Sequence, residues 1–100
     1  MSRMESAAQV GRALTQQLTI VNRKGLHARA SARFVRTAEC FEAEIKVTRD
    51  GSTVAGISIM GLMMLGAAKG DTITISAAGD GAEDAVLALA ELVEARFGEE

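Results

Sequence analysis

The sequence predicts an α+β open sandwich, a four-stranded sheet covered on one face by helices with its other face left to solvent. Three observations carry that prediction. Hydrophobic periodicity switches several times between two residues and about 3.6 along the chain. Each strand-like segment has one apolar side and each helical segment one apolar stripe, so the economical packing is helices on one face of a sheet. The length of 100 residues supports a single modest core and not two.

Residues 1 to about 15 show no committed pattern and are read as a mobile N-terminal extension before a domain of residues 16–100. "QLTIV" then places Leu18 and Ile20 on one side and Thr19 on the other, the alternation of a half-buried strand. Beyond a turn at Gly25, Ser31, Phe34, Val35 and Ala38 share one face of a helix that begins at Ala28 and runs to about Glu39. "AEIKVTR" alternates Ile45 and Val47 with polar residues, Asp50-Gly51 is a hairpin turn, and "STVAGI" returns as an antiparallel partner. "SIMGLMMLGAAKG" is apolar, methionine-rich and glycine-punctuated, long enough for one or two helical turns, with Leu62 and Leu65 inward. "DTITISA" restores strict alternation with Ile73 and Ile75 inward. A long amphipathic helix closes the chain, with Val86, Leu89, Ala90, Val93 and Phe97 on its stripe and an Asp80–Glu83 capping box at its start.

Composition excludes several classes of function. A net charge of −2 and only three aromatic residues, all Phe, argue against nucleic-acid binding, which needs cationic surface and stacking platforms. The core must be aliphatic. One cysteine, Cys40, forms no internal disulfide, and with a single histidine it offers no metal site. No apolar run approaches the roughly 20 residues that span a bilayer, and the first 15 residues are too polar for a signal peptide, so a cytoplasmic protein without membrane insertion is expected.

The one histidine, His27, falls where a glycine-containing loop becomes a helix. There the first backbone N–H groups lack intrahelical partners and the helix dipole is positive, which suits a bound anion and phosphate above all. Neutral imidazole is a nucleophile that titrates near physiological pH, so it can accept a phosphoryl group and release it. Arg29 could bring a guanidinium to the phosphate oxygens, while Arg23 and Lys24 add positive charge to an acidic chain. Gly25 would let the turn approach closely. A plain capping or surface histidine fits the same residues, and local chemistry leaves both readings open.

"GLHARASARFV", residues 25–35, resembles the active-site signature of the histidine-containing phosphocarrier family, HPr, of the bacterial phosphoenolpyruvate-dependent phosphotransferase system. "SIMGLMMLGAAKGDTITISAAG", residues 58–79, resembles the same family's serine-site segment and following strand, and Ser58 lies at the family's interval of 31 residues after His27. The likeness spans roughly residues 16–95. It implies a β-α-β-β-α-β-α fold with an antiparallel sheet, an HPr-like open-faced β-sandwich. It further implies that His27 takes a phosphoryl group on Nδ1 from phosphorylated enzyme I and passes it to enzyme IIA proteins. Arg29 would steady the group, no cofactor is expected, and the protein would be a carrier with a phosphohistidine intermediate and not a stand-alone enzyme. Ala28, Ile59, Met60 and Met63 would meet the partners, and the chain would act as a monomer.

Ser58 is also a natural helix N-cap. The resemblance adds regulatory phosphorylation there by an ATP-dependent HPr kinase/phosphorylase, which would place about −1.5 to −2 charge beside the docking surface. The chain departs from the commonest family pattern at Ala30, where many members have proline. Proline is tolerated in a first turn because its missing N–H had no partner, so alanine spares the site and opens the nitrogen-related branch, with a regulatory output, as an alternative to sugar transport. Rival readings are weaker. An interaction module working through Ser58 alone would lack His27. A nucleic-acid or metabolite-binding domain meets the wrong charge and aromatic content. A Ser–His hydrolase lacks a GxSxG motif, and the sequence identifies no carboxylate to orient the histidine.

Overall fold

The computed structural model describes residues 13–99. Its elements are β1 (Leu14–Thr19), α1 (Ala28–Ala38), β2 (Glu44–Arg49), β3 (Ser52–Ala55), α2 (Ile59–Leu65), β4 (Thr72–Ala78), α3 (Ala82–Glu94) and a short 3-10 turn, Arg96–Gly98. The strands form one sheet in the order β1-β4-β2-β3 with every pair antiparallel. This is the β-α-β-β-α-β-α order expected, with β4 central and β1 inserted beside it as an edge.

Register explains the core. Leu18 lies opposite Ile73, Ile75 opposite Val47, Ile45 opposite Ala77, and Val47 opposite Val54. Directly paired residues share a face, so these side chains make a continuous apolar layer on one side of the sheet. Phe34, Val35 and Ala38 of α1, Leu62 and Leu65 of α2, and Val86, Leu89 and Val93 of α3 close over it. Thr19, Lys46 and Thr72 face outward and stay accessible. Strand pairing runs back to Leu14 and Thr15, ahead of the boundary expected at residue 16. Residues 1–12 of the expected extension lie outside the described residues.

Three local features place the loops that matter. Asp50 and Gly51 both adopt positive φ, 48° and 83°, the paired left-handed geometry that suits a two-residue hairpin. Arg49 donates to the Leu65 carbonyl at 2.9 Å and meets the Asp71 carboxylate at 3.0 Å, while Asp71 accepts from the Ala68 N–H at 2.8 Å. The end of α2 is thereby fixed to the sheet. Gly25 has φ +64°, and Leu26 N–H donates to the Ala67 carbonyl at 3.0 Å, stitching the loop before α1 to the loop after α2.

Two expectations for the last helix need correction. Asp80 does not cap it: the N-cap is Gly81 at φ 80°, with no side-chain hydrogen bond. Gly79 and Gly81 both take left-handed backbone, which carries the chain into the helix at an angle only glycine adopts freely, and Glu83 and Asp84 serve the dipole from the first turn. Phe97 is fully buried but is not on the helical stripe, because α3 ends at Glu94. Arg96 and Phe97 turn left-handed, at φ 60° and 56°, and swing the aromatic ring back under the helices. Two such residues cost about 1–2 kcal/mol each. Burying the Phe97 ring returns about 2–3 kcal/mol, and Arg33 adds a hydrogen bond to the Phe97 carbonyl at 2.6 Å.

Candidate functional site

His27 is the N-cap of α1, with extended backbone at φ −76° and ψ −177°. Its carbonyl accepts from the Ser31 N–H at 2.8 Å, opening the helix. The buried Ser31 hydroxyl in turn donates to the Leu26 carbonyl at 3.1 Å, so loop and first turn are locked together. The His27 side chain makes no capping bond. The first N–H groups of α1 therefore receive no cap from that side chain, and the helix N-terminus adds positive potential to the site.

The imidazole points instead to the end of the chain. His27 Nε2 lies 2.7 Å from Glu99 Oε2, a contact between residues 72 apart in sequence. Burial alone would raise the Glu99 pKa. Hydrogen bonds from His27 and Asn22, together with the charges of His27 and Arg29, outweigh that effect and hold it below its ordinary value. An ionised carboxylate can only accept, so the hydrogen of neutral His27 sits on Nε2 and the Nδ1 lone pair is left free. Asn22, almost fully buried, uses its amide to hold the arrangement, donating to the Gly25 carbonyl at 2.9 Å and to Glu99 Oε1 at 3.1 Å.

Around the ring lies an open cleft of about 240 Å³ lined by Arg23, Lys24, His27, Arg29 and Glu99. Three exposed cations and a helix N-terminus surround one half-buried nucleophile. Chemically, that arrangement can hold a dianionic group against Nδ1 without a metal. The structure thus brings His27 and Arg29 to one cleft, with Ala28 exposed at its edge.

Ser58 lies apart, as the N-cap of α2, accepting from the Gly61 N–H at 2.9 Å. The approach there is close: a Cβ on Gly61 would lie 2.9 Å from Val54 Cβ and 3.0 Å from Ser58 Oγ. Ile59, Met60 and Met63 are exposed on α2, whereas Leu62 and Leu65 are buried. None of these α2 residues lines the His27 cleft, although α1 and α2 pack side by side. Ile57 and Met64, at 60% and 79% exposure, enlarge the apolar patch.

Sequence reasoning missed Asn22 and Glu99. Asn22 follows a strand and reads as an ordinary turn residue. Glu99 belongs to a terminal acidic pair, and its reach to His27 depends on a left-handed turn that no local pattern announces.

Residues 14–95 match the family model for the PTS HPr component phosphorylation site. The chain is 49% identical over 86 residues to the phosphocarrier protein HPr of Neisseria meningitidis serogroup A, covering 86% of this chain and 97% of that protein. It is 40% identical over 86 residues to the phosphocarrier protein NPr of Shewanella violacea, covering 86% of this chain and 94% of that one. Among solved structures, HPr from Thermoanaerobacter tengcongensis superposes with a TM-score of 0.84 at 45% identity, covering 87% of this chain and 98% of its own. No described helix is long and apolar enough to cross a membrane. With the fold, the histidine-bearing N-cap and these matches in agreement, the chain belongs to the HPr family of phosphocarriers of the phosphotransferase system.

Proposed function

We propose that His27 is the phosphoryl acceptor, taking the group on Nδ1 from phosphorylated enzyme I and handing it to enzyme IIA proteins. The observation that carries this reading is the His27 ring itself, with Nε2 engaged by Glu99 and Nδ1 free at the N-terminus of α1. Arg29 supplies the guanidinium that steadies the phosphoryl oxygens, supported by Arg23 and Lys24 from the same cleft. A phosphoramidate suits a relay because it is labile enough to be handed on; a serine ester would stall it. Ala28 at the cleft edge and Ile59, Met60 and Met63 on α2 form the docking surface, and unbranched methionine adapts to several partners. The carrier acts as a cytoplasmic monomer without a cofactor.

Ser58 is the regulatory position, modified by HPr kinase/phosphorylase. Its hydroxyl already receives the Gly61 N–H, so a phosphate fits the start of α2 while setting negative charge beside the docking patch. Ala30 and the likeness to the Shewanella violacea NPr support a second reading, a nitrogen-related carrier whose output is regulation and not sugar uptake. The test is incubation with phosphoenolpyruvate and enzyme I. The expected product is an acid-labile, base-stable phosphate that His27→Ala abolishes; label that survives in His27→Ala would contradict the assignment.

A further inference from the structure

We propose that the groove between the C-terminal half of α1 and Leu92 of α3 is a binding site for a small organic phosphate with a flat ring, of the size of a nucleoside monophosphate. The groove measures about 520 Å³ and is lined by Arg33, Arg36, Thr37, Cys40, Phe41 and Leu92. That volume falls in the range of small-molecule sites. The first four residues recur at i, i+3, i+4 and i+7, so one side of α1 and of the turn after it forms a polar wall. Phe41 and Leu92 are half-buried and packed on the core, which leaves an apolar floor held from below. A Cβ on Gly81 would lie 3.9 Å from Phe41 Cδ1, so the ring is also seated against the start of α3.

Charge and hydrogen-bonding capacity set the chemistry of the ligand. The chain carries a net charge of −2, yet no carboxylate lines this groove among the described residues. Neither arginine is in an ion pair among the described residues. Arg33 gives one N–H to the Phe97 carbonyl at 2.6 Å, which fixes the guanidinium and leaves its other donors open. Arg36, one turn on, offers a second planar fork, and Thr37 adds a hydroxyl. Two such forks suit the several oxygens of a phosphate better than a single carboxylate. The helix dipole opposes an anion at the end of α1. Its last carbonyls are already occupied, however: those of Val35, Thr37 and Ala38 accept the N–H groups of Glu39, Cys40 and Phe41, and that of Arg36 accepts the Cys40 thiol at 3.4 Å. The phosphate therefore belongs at Arg33 and Arg36, with the ring on Phe41 and Leu92. The His27 cleft offers no such floor, since Arg23, Lys24, His27, Arg29 and Glu99 line it without an apolar side chain. Inorganic phosphate suits either place, whereas only the groove favours the ring.

The test titrates the full 15N-labelled chain with adenosine monophosphate, adenosine or inorganic phosphate and follows the backbone amide shifts. Adenosine monophosphate is expected to move Arg36, Thr37, Cys40, Phe41 and Leu92 and to saturate at about millimolar concentration, the affinity within reach of a ligand this small in an open groove. Adenosine and inorganic phosphate should each bind there at least about fivefold more weakly, because each lacks one half of the recognition. Arg36→Ala, at an exposed position outside the His27 cleft, should weaken the nucleotide about five- to tenfold while the spectrum of the free protein stays folded. Arg33 is left intact because it also holds the terminal turn. Bound nucleotide should slow alkylation of the exposed Cys40 by iodoacetamide as an independent readout. Shifts confined to the His27 cleft, an affinity no better than that of adenosine or inorganic phosphate, unchanged binding by Arg36→Ala, or unchanged alkylation at saturation would overturn the site. The carrier reading stands or falls separately, on label at His27.

Discussion

Replacing Gly25 by alanine should loosen the loop that presents His27, and the size of the effect follows from two contacts. The residue sits at φ +64°, where a Cβ costs about 1–2 kcal/mol. The added carbon would also lie 2.3 Å from the Ala67 carbonyl oxygen and 2.9 Å from Ala68 Cα. Both neighbours are backbone, and that oxygen already accepts from Leu26 N–H at 3.0 Å. Separating the two loops enough to admit a methyl group breaks this bond, a further loss of about 1 kcal/mol. The sum, about 2–3 kcal/mol, is a large part of the stability of a small domain. Thermal unfolding followed by circular dichroism should register a fall of roughly 10–20 °C at this chain length. Phosphorylation by enzyme I should slow as well, because Asn22 anchors to the Gly25 carbonyl and Gly25 is two residues from His27. A variant within about 0.5 kcal/mol of the wild type would refute the close approach of the two loops.

Three further outcomes are expected. Phe97→Ala removes a fully buried ring and should destabilise by about 3–5 kcal/mol in urea unfolding, while also releasing the turn that carries Glu99; a loss under 1 kcal/mol would mean that the terminal turn is not anchored. Ser58→Asp keeps an acceptor at the start of α2, so unfolding should shift by less than about 1 kcal/mol, whereas the added charge should weaken transfer from enzyme I. Unaltered transfer would count against Ser58 as a regulatory position. The Glu99 carboxyl titrates below its ordinary value of 4.5, so its contribution to stability is complete above that pH and disappears as pH falls through the lower folded value. Glu99→Gln should therefore flatten the acid limb of the stability profile, and wild-type and variant curves of identical shape below pH 4.5 would speak against the ion pair.

Most of the fold was legible because its apolar faces obey simple periods. Leu18, Ile20, Ile45, Val47, Ile73 and Ile75 alternate cleanly, and the α1 stripe of Ser31, Phe34, Val35 and Ala38 is buried as the spacing requires. The end of α3 was misread because Phe97 happens to fall in helical phase with Val93 and Val86, and periodicity registers burial without registering how the backbone gets there. Asp80 looked like a cap because its residue type and its distance from Glu83 are right, yet the flanking glycines take the chain round a different corner. At the site, His27 and Arg29 were singled out from local motif and helix-start chemistry, and the structure brings both to one cleft. Glu99 was not, since a carboxylate brought in from 72 residues away leaves no trace in the spacing around the histidine.

The most direct measurement of the central claim is the identity of the phosphorylated atom. Protein carrying 15N-labelled histidine, phosphorylated by phosphoenolpyruvate and enzyme I, should show phosphorus coupled to Nδ1 of His27 while Nε2 retains its hydrogen. Phosphorus on Nε2, or a phosphate found on Ser58 under these conditions, would contradict the geometry in which Glu99 occupies one ring nitrogen and leaves the other to the relay.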